Sequence, residues 1–164
     1  MNISKIFILA IVSITISNGC DKDDPRNTSG VTFTEITNYS SSSIKFGNNL
    51  VEYNEILGYD SSNHVFSITN DAGERIRKQD YPTTPTPFAI VVDGELIYIA
   101  NFIPGYSSAS CNECISVEPY SYSNKYRVEL GYPSSSFYSG SDPRNDFRII
   151  SRFEKDNKLI DIDL

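Results

Sequence analysis

The alternation of apolar and polar positions is clearest near the middle of the chain, where two apolar runs flank a short polar turn. The first run covers 88–92 and the second 95–100, and Asp93 and Gly94 lie between them. An Asp-Gly pair suits a type I′ turn, because both of its central residues need a positive φ. The pattern therefore predicts a β-hairpin.

Residues 70–79 have the end residues and the charge order of a short helix. Thr69 precedes the segment and can cap it, Glu74 lies in its first half and Arg77 lies near its end. Acidic residues near the start and basic residues near the end complement the helix dipole. We expect the helix to stop before the proline-rich stretch 80–87, which predicts an extended connection.

A second helix is predicted over 143–155, close to the end of the chain. Pro143 follows Asp142, so a capping side chain stands just before a proline in the first turn. Apolar residues then recur at the three- and four-residue steps of one helix face. They are Phe147, Ile149, Ile150 and Phe153.

The remaining apolar segments are short and rich in β-branched and aromatic residues, which favours strands. We predict strands at 31–36, 65–68, 115–117, 125–130 and 159–164. The last would be an edge strand, with Ile160, Ile162 and Leu164 on one face and Asp161 and Asp163 on the other. The Ser-rich stretch 38–43 predicts a loop, and 49–57 fits either a helix or a strand.

These elements predict an α+β fold, with a mostly antiparallel sheet and two helices packed on one face. The length of 164 residues fits a single domain of ordinary size. The net charge of −7 argues against a nucleic-acid binder, which needs a basic stripe to meet phosphates. We therefore expect no nucleic-acid partner.

The first 20 residues have the layout of a bacterial lipoprotein leader. Lys5 is followed by an apolar run over 6–16, which is too short to span a membrane as a helix and suits a signal peptide. The sequence SNGC, which ends at Cys20, then resembles a lipobox. The resemblance implies cleavage after Gly19 and attachment of fatty acyl chains such as palmitate to Cys20.

The residues after Cys20 resemble the acidic export signal of Bacteroidetes-type lipoproteins. They are Asp21, Lys22, Asp23 and Asp24. In that group the signal implies display on the outer membrane, with the lipid as the attachment to the bilayer. The chain would then consist of a signal peptide over 1–19, a lipidated cysteine and tether over 20–30, and one globular domain over 31–164. The alternative is an ordinary secreted protein in which Cys20 is free or disulfide-bonded.

Residues 66–103 resemble the head part of the first periplasmic domain of the protein-export subunit SecD. The similarity lies in a strand that ends at Thr69, a helix with an early glycine at Gly73, and a hairpin whose sequence is AIVVDG over 89–94. It implies a shared β-α-β-β unit. Such a likeness concerns structure and does not carry the export function.

Cys111 and Cys114 form a CxxC motif. The residues that follow it predict a strand, whereas a thioredoxin-like redox pair needs a helix N-terminus to stabilise its thiolate. A zinc site would need two further ligands, and His64 alone cannot supply them. We expect a structural disulfide of an oxidising compartment; inert thiols, a redox pair and half of a metal site are the alternatives.

His64 follows the polar stretch 60–63, which predicts a turn. A histidine in a turn can act as a general base, but a purely structural position is the favoured interpretation. The sequence contains no nucleophile-elbow, zincin, P-loop or EF-hand motif. We therefore predict no catalytic residue, no metal site and no cofactor.

Tyrosines cluster among serines and glycines between residues 104 and 140. The candidate binding residues are Tyr106, Tyr120, Tyr122, Tyr126 and Tyr138. Tyrosine with serine and glycine is typical of recognition surfaces, because the ring provides contact area at low entropic cost. A protein or glycan ligand is one interpretation, and tyrosines that merely cover the rim of the core are the other.

The sequence as a whole favours a cell-envelope lipoprotein with a non-enzymatic, surface-displayed binding or accessory domain. The alternative is a small periplasmic redox enzyme or hydrolase that uses Cys111 and Cys114 or the lone His64.

Overall fold

Nine strands and two α-helices are formed by residues 29–40 and 43–163, the part of the chain that the computed structural model describes. The strands are β1 (Val31–Ser40), β2 (Ser43–Val51), β3 (Ile56–Asp60), β4 (Val65–Ile68), β5 (Thr86–Val92), β6 (Glu95–Phe102), β7 (Cys111–Val117), β8 (Lys125–Arg127) and β9 (Glu129–Tyr132). The helices are α1 (Asn70–Arg77) and α2 (Phe147–Lys155). Two short 3₁₀ turns lie at Tyr53–Glu55 and Ser135–Phe137.

The strands are arranged in two sheets. The larger has six strands in the order β2-β1-β5-β6-β7-β9, and the smaller has three in the order β3-β4-β8. Every neighbouring pair is antiparallel except β6 and β7, which run parallel. The predicted α+β fold with a mostly antiparallel sheet is confirmed, and the division into two sheets is a feature that the sequence pattern did not indicate.

The predicted hairpin is confirmed as β5 and β6. Asp93 and Gly94 have φ values of 49° and 83°, the positive sign that a type I′ turn requires at both positions. The turn is also tied to the start of the domain, because the Gly30 amide donates to Asp93 Oδ1 at 2.6 Å and the Asp93 amide donates to the Gly30 carbonyl at 2.9 Å. The first strand of the domain therefore starts beside the tip of this hairpin.

The helix predicted over 70–79 is confirmed as α1. The Thr69 hydroxyl accepts from the Ala72 amide at 3.4 Å and caps the first turn. The strand, helix and hairpin that the resemblance to SecD implies are present in that order, as β4, α1, β5 and β6. The first strand of the set, β4, lies in the small sheet, whereas the hairpin lies in the large one.

The helix predicted over 143–155 begins later, at Phe147. Asp146 is its cap, since the Asp146 carboxylate accepts from the Arg148 amide at 2.9 Å. Asp142 accepts from the backbone and guanidinium of Arg144, as Asp146 does from Arg148, and holds a separate turn. The predicted apolar stripe is only partly buried, because Ile149 and Phe153 lie in the core whereas the Phe147 side chain is 74% exposed.

The loop predicted at 38–43 is largely wrong. β1 continues to Ser40 and β2 starts at Ser43, and the two strands form one long antiparallel pair. The segment 49–57 is neither one helix nor one strand. It contains the end of β2, the 3₁₀ turn Tyr53–Glu55 and the start of β3.

The strand predicted over 125–130 is divided at Val128. β8 joins the small sheet and β9 joins the large one, so this stretch crosses between the sheets through a buried valine. The strand predicted over 159–164 forms only a single parallel bridge, between Leu159 and Tyr59. Ile162 is buried and Ile160 is partly exposed, so they do not share one buried face. Leu164 lies outside the described residues.

One aromatic and aliphatic core joins both sheets and both helices. Phe33 in the large sheet meets Phe66 in the small sheet at a ring-centre distance of 5.0 Å, and Phe153 of α2 reaches Phe66 at 6.0 Å. Neither helix in the described ranges has the length and apolarity needed to cross a bilayer. The predicted signal peptide, Cys20 and the acidic residues 21–24 lie outside the described residues.

Candidate functional site

The predicted tyrosine surface is only partly formed. Tyr106 and Tyr122 are exposed by 62% and 86%, and Tyr120 is half-buried against the core. Tyr126 is 1% exposed, and its hydroxyl donates to the Gly73 carbonyl at 3.4 Å. The assignment of Tyr126 to a binding surface is therefore wrong. Its alternating position in β8 turns the ring into the core, a fact that the Tyr/Ser composition of the segment could not reveal.

Tyr106 and Tyr120 form a stacked pair, which we call the tyrosine platform. Their ring centres are 6.1 Å apart and their planes are inclined by 28°. Beneath them, Tyr81 meets Tyr120 edge-on at 5.8 Å and packs on Phe102 at 5.2 Å. The platform is thus the outer end of an aromatic series that begins in the core, and such contacts restrict the rings to one arrangement.

Hydrogen bonds also hold the platform in place. The Tyr106 hydroxyl donates to the Tyr81 carbonyl at 3.2 Å, and the Ser107 hydroxyl donates to the Thr83 carbonyl. The side chain of the neighbouring Tyr120 is the main cause that raises the pKa of Tyr106 above its ordinary value. Tyr106 is therefore a neutral phenol at physiological pH. Its ring carries no charge that would disfavour contact with an apolar face of a ligand.

A cleft of about 360 Å³ lies between the end of β7 and β9. Its apolar part includes Ile103, Val117 and Leu130, and its polar part includes Glu118, Glu129 and Ser134. The neighbouring Tyr132–Pro133 peptide bond is cis. These residues give a concave surface with both apolar and polar groups, which is the usual composition of a small-ligand site.

Gly131 shapes one wall of the cleft. Its φ is +71°, and a Cβ at this position would lie 2.6 Å from the Ser134 carbonyl oxygen. The Gly131 carbonyl accepts from the Ser116 hydroxyl at 2.9 Å. Glycine is required here both for the left-handed backbone and for the close approach of the following turn.

The cleft and the tyrosine platform share a border. Glu118 lines the cleft, and its Oε1 accepts from the Tyr120 amide at 3.1 Å. Tyr132, also in the cleft, donates from its hydroxyl to the Ser107 carbonyl at 3.1 Å, in the loop that carries Tyr106. The two features therefore form one continuous surface with an aromatic part and an acidic part.

The two remaining tyrosines lie at other contacts. Tyr122 is close to the platform in sequence, but its neighbour is a cation. The guanidinium carbon of Arg77 lies 5.9 Å from the centre of the Tyr122 ring. Tyr138 donates to the Ser141 carbonyl at 2.7 Å, and burial raises the pKa of its hydroxyl. The structure brings Tyr106 and Tyr120 together and gives Tyr138 a local structural role.

Comparison with family models, with curated proteins and with solved structures finds no match for this chain.

The two cysteines of the CxxC motif lie together at the start of β7, with their Cα atoms 5.7 Å apart, a spacing that suits a disulfide. A register shift in the β7–β9 pairing falls between Cys111 and Ile115, and Glu113 inside the motif has a φ of +60°. The motif continues into a strand, so no helix N-terminus follows that would stabilise a thiolate. This placement favours a structural disulfide over a redox pair.

His64 lies in the turn between β3 and β4, with a φ of +55°. Its Nδ1 is 3.4 Å from the Tyr59 hydroxyl, whose other partners are the Arg144 carbonyl and Asn145. Burial, followed by the nearby Arg144 charge, lowers the pKa of the imidazole and so favours its neutral form. In the described part of the chain, no three histidine, cysteine or carboxylate side chains gather closely enough to hold a metal ion.

The acidic cleft is the part of the site that the sequence analysis missed. Glu118 and Glu129 belong to different segments, and the pairing of Ser116 with Glu129 across β7 and β9 brings them to the same cleft. No motif spacing marks such a pair. A sign that could have been used is the pair of acidic residues flanking the tyrosine segment 119–126.

Proposed function

We propose that the chain is a lipid-anchored lipoprotein of the outer membrane whose domain is displayed at the cell surface and binds a ligand without catalysing a reaction. The leader, Cys20 and the acidic residues 21–24 support the anchor and its location. Two or more acyl chains give stable attachment, which the negative charge of the chain could not provide on an anionic membrane.

The observation that carries the binding role is the tyrosine platform. Tyr106 exposes most of its ring while stacking and a backbone hydrogen bond hold it in position. An exposed aromatic ring that is already ordered loses little entropy when a ligand covers it. Recognition surfaces commonly use tyrosine for this reason.

The distance of the platform from the point where the chain enters the domain supports display. The chain enters the domain at Ser29 and Gly30, beside the turn between β5 and β6, where the Ser29 hydroxyl accepts from Arg152 at 3.2 Å. From this turn β6 runs for eight residues, about 25 Å at the usual rise, and the platform loop follows its far end. The ligand surface therefore lies at the opposite end of the large sheet from Ser29 and Gly30, where the chain enters the domain.

Cys20→Ala is expected to move the protein from the membrane fraction to the soluble fraction. Without the thiol no acyl chain can be attached, and the acidic chain after the signal peptide is repelled by an anionic membrane. Fractionation, metabolic labelling with palmitate and protease treatment of intact cells would measure attachment and display. The double variant Cys111→Ser and Cys114→Ser is the control and should stay with the membrane. A Cys20→Ala protein that still partitions with lipid would contradict the anchor.

Tyr106→Ala is expected to weaken ligand binding at least about tenfold, because a central aromatic contact commonly contributes more than 1.4 kcal/mol to binding. The full chain in detergent micelles would be tested against an oligosaccharide array and a displayed peptide library. Tyr39→Ala, which removes another exposed tyrosine on β1, is the matched control and should have no effect. Absence of saturable binding to either probe set would overturn the binding role.

A further inference from the structure

We infer that the ligand is a neutral or amino-bearing oligosaccharide, with one sugar ring stacked on Tyr106 and the adjacent sugar held in the cleft by Glu118 and Glu129. This inference rests on the proposed binding function and specifies its ligand class. The geometry points to it because the continuous surface combines an aromatic face with the carboxylate of Glu118, which accepts from the Tyr120 amide and lies beside Gly105 in the loop that carries Tyr106.

The chemistry of a sugar chain matches both parts of this surface. A pyranose ring presents C–H groups on its faces and hydroxyl groups around its rim. The C–H face suits the exposed face of Tyr106, and hydroxyl or ammonium groups are donors for the carboxylates of Glu118 and Glu129. Hydrogen bonds to ionised acceptors are about twice as strong as neutral ones, so they fix the orientation of the second sugar.

Charge decides which oligosaccharides fit. No lysine or arginine lies among the described residues that line the cleft, and Glu118 takes part in no ion pair within 29–40 and 43–163. Glu129 forms an exposed ion pair with Arg127, in which Arg127 Nε lies 3.7 Å from Glu129 Oε1. An exposed pair of this kind screens only part of the Glu129 charge. A sulfated or carboxylated sugar would meet the like charge of Glu118 and the partly screened charge of Glu129, which disfavours its binding.

The size and rigidity of the cleft fit a small part of a chain. Its volume of about 360 Å³ is near the lower end for small-ligand sites. A cleft of this size has room for one or two sugar units and not for a folded protein partner. Its walls are held by the Ser116–Gly131 and Tyr132–Ser107 hydrogen bonds at 2.9 and 3.1 Å. A preformed site of this kind binds without a large ordering cost.

The test uses the full chain in detergent micelles on an array of neutral, amino-bearing, carboxylated and sulfated oligosaccharides. Saturable binding is expected for neutral or amino-bearing members and none for the anionic ones. Affinity for the best member is then measured by calorimetry.

Glu118→Gln keeps the shape of the side chain and removes its charge, and we expect about a tenfold loss of affinity, the effect of one charge-assisted hydrogen bond. Glu154→Gln, on the exposed side of α2, is the matched control and should bind as the wild type does.

Tyr106→Phe separates the contribution of ring stacking from that of the hydroxyl group. It also serves as a control for misfolding of the Tyr106→Ala variant. It keeps the ring, so binding should stay within about threefold of wild type, whereas Tyr106→Ala should lose at least about tenfold. Preference for anionic oligosaccharides, or wild-type affinity in either the Glu118→Gln or the Tyr106→Ala variant, would overturn the inference. Peptide binding that depends on Tyr106, with a blank oligosaccharide array, would overturn the ligand class while leaving the binding function standing. A blank with both probe sets would overturn both.

Discussion

Replacing Phe66 with alanine is expected to lower the free energy of unfolding by about 3–5 kcal/mol, the usual loss for a buried phenylalanine. Phe66 is fully buried in β4 and has three aromatic neighbours. Its ring centre is 4.4 Å from Tyr59, 5.0 Å from Phe33 and 6.0 Å from Phe153. These neighbours belong to the small sheet, the large sheet and α2, so the cavity left by alanine would open where three elements meet.

Equilibrium unfolding in urea, followed by tyrosine fluorescence and far-ultraviolet circular dichroism, would measure this loss. The chain has no tryptophan, so its tyrosines are the intrinsic fluorophores. Phe147→Ala is the matched control, because the same atoms are removed from a side chain that is 74% exposed. We expect its effect to stay within about 0.5 kcal/mol. Equal losses for the two variants would show that Phe66 does not join the layers of the core.

The elements that were predicted correctly are those whose causes are local. The hairpin of β5 and β6 follows from Asp93 and Gly94, which adopt the required positive φ values within the turn itself. Helix α1 follows from Thr69, whose hydroxyl caps the first turn three residues away. In both cases the deciding interaction joins residues that are neighbours in sequence.

The elements that were missed depend on contacts between distant residues. β2 is polar along much of its length, and it is a strand because β1 provides a partner. The break at Val128 exists because β8 pairs with β4 while β9 pairs with β7. Helix α2 starts at Phe147 because Asp146 caps it, although Asp142 makes the same backbone and guanidinium hydrogen bonds with the arginine two residues on. A sequence pattern does not show which of two competing caps or partners is used.

The same distinction applies to the candidate site. Composition identified the tyrosine-rich segment, and Tyr106 and Tyr120 do form an exposed stack. Composition could not separate them from Tyr126, because exposure depends on which face of β8 meets the core. The carboxylates of the cleft were missed because a strand pairing, and not a motif, brings Glu118 and Glu129 together.

Asp60→Asn is expected to lower the free energy of unfolding by about 2–4 kcal/mol at pH 7, because it leaves buried donors unpaired. Asp60 is only 2% exposed. Its Oδ1 accepts from the amides of Ser62 and Asn63 and from the Ser62 hydroxyl, at 2.6 to 3.0 Å. Its Oδ2 accepts from Asn63 Nδ2 at 2.8 Å and from the Ile162 amide at 3.1 Å. An asparagine would place an NH₂ group against two of these donors, so both the turn after β3 and the attachment of the C-terminal segment would weaken.

The pH dependence of the same variant provides a second test. Hydrogen bonds, with the Ser62 hydroxyl first among them, hold the pKa of Asp60 well below its ordinary value. A carboxyl whose pKa is lower in the folded state stabilises the fold fully above its unfolded pKa of about 3.9, and this contribution is lost as the pH falls toward the folded value. The stability difference between wild type and Asp60→Asn should therefore be constant from pH 7 to about pH 5 and narrow as the solution is acidified further. Asp161→Asn, an exposed aspartate in the same C-terminal segment, should match wild type throughout. A difference that does not change between pH 7 and pH 2 would show that the charge of Asp60 is not what holds this turn.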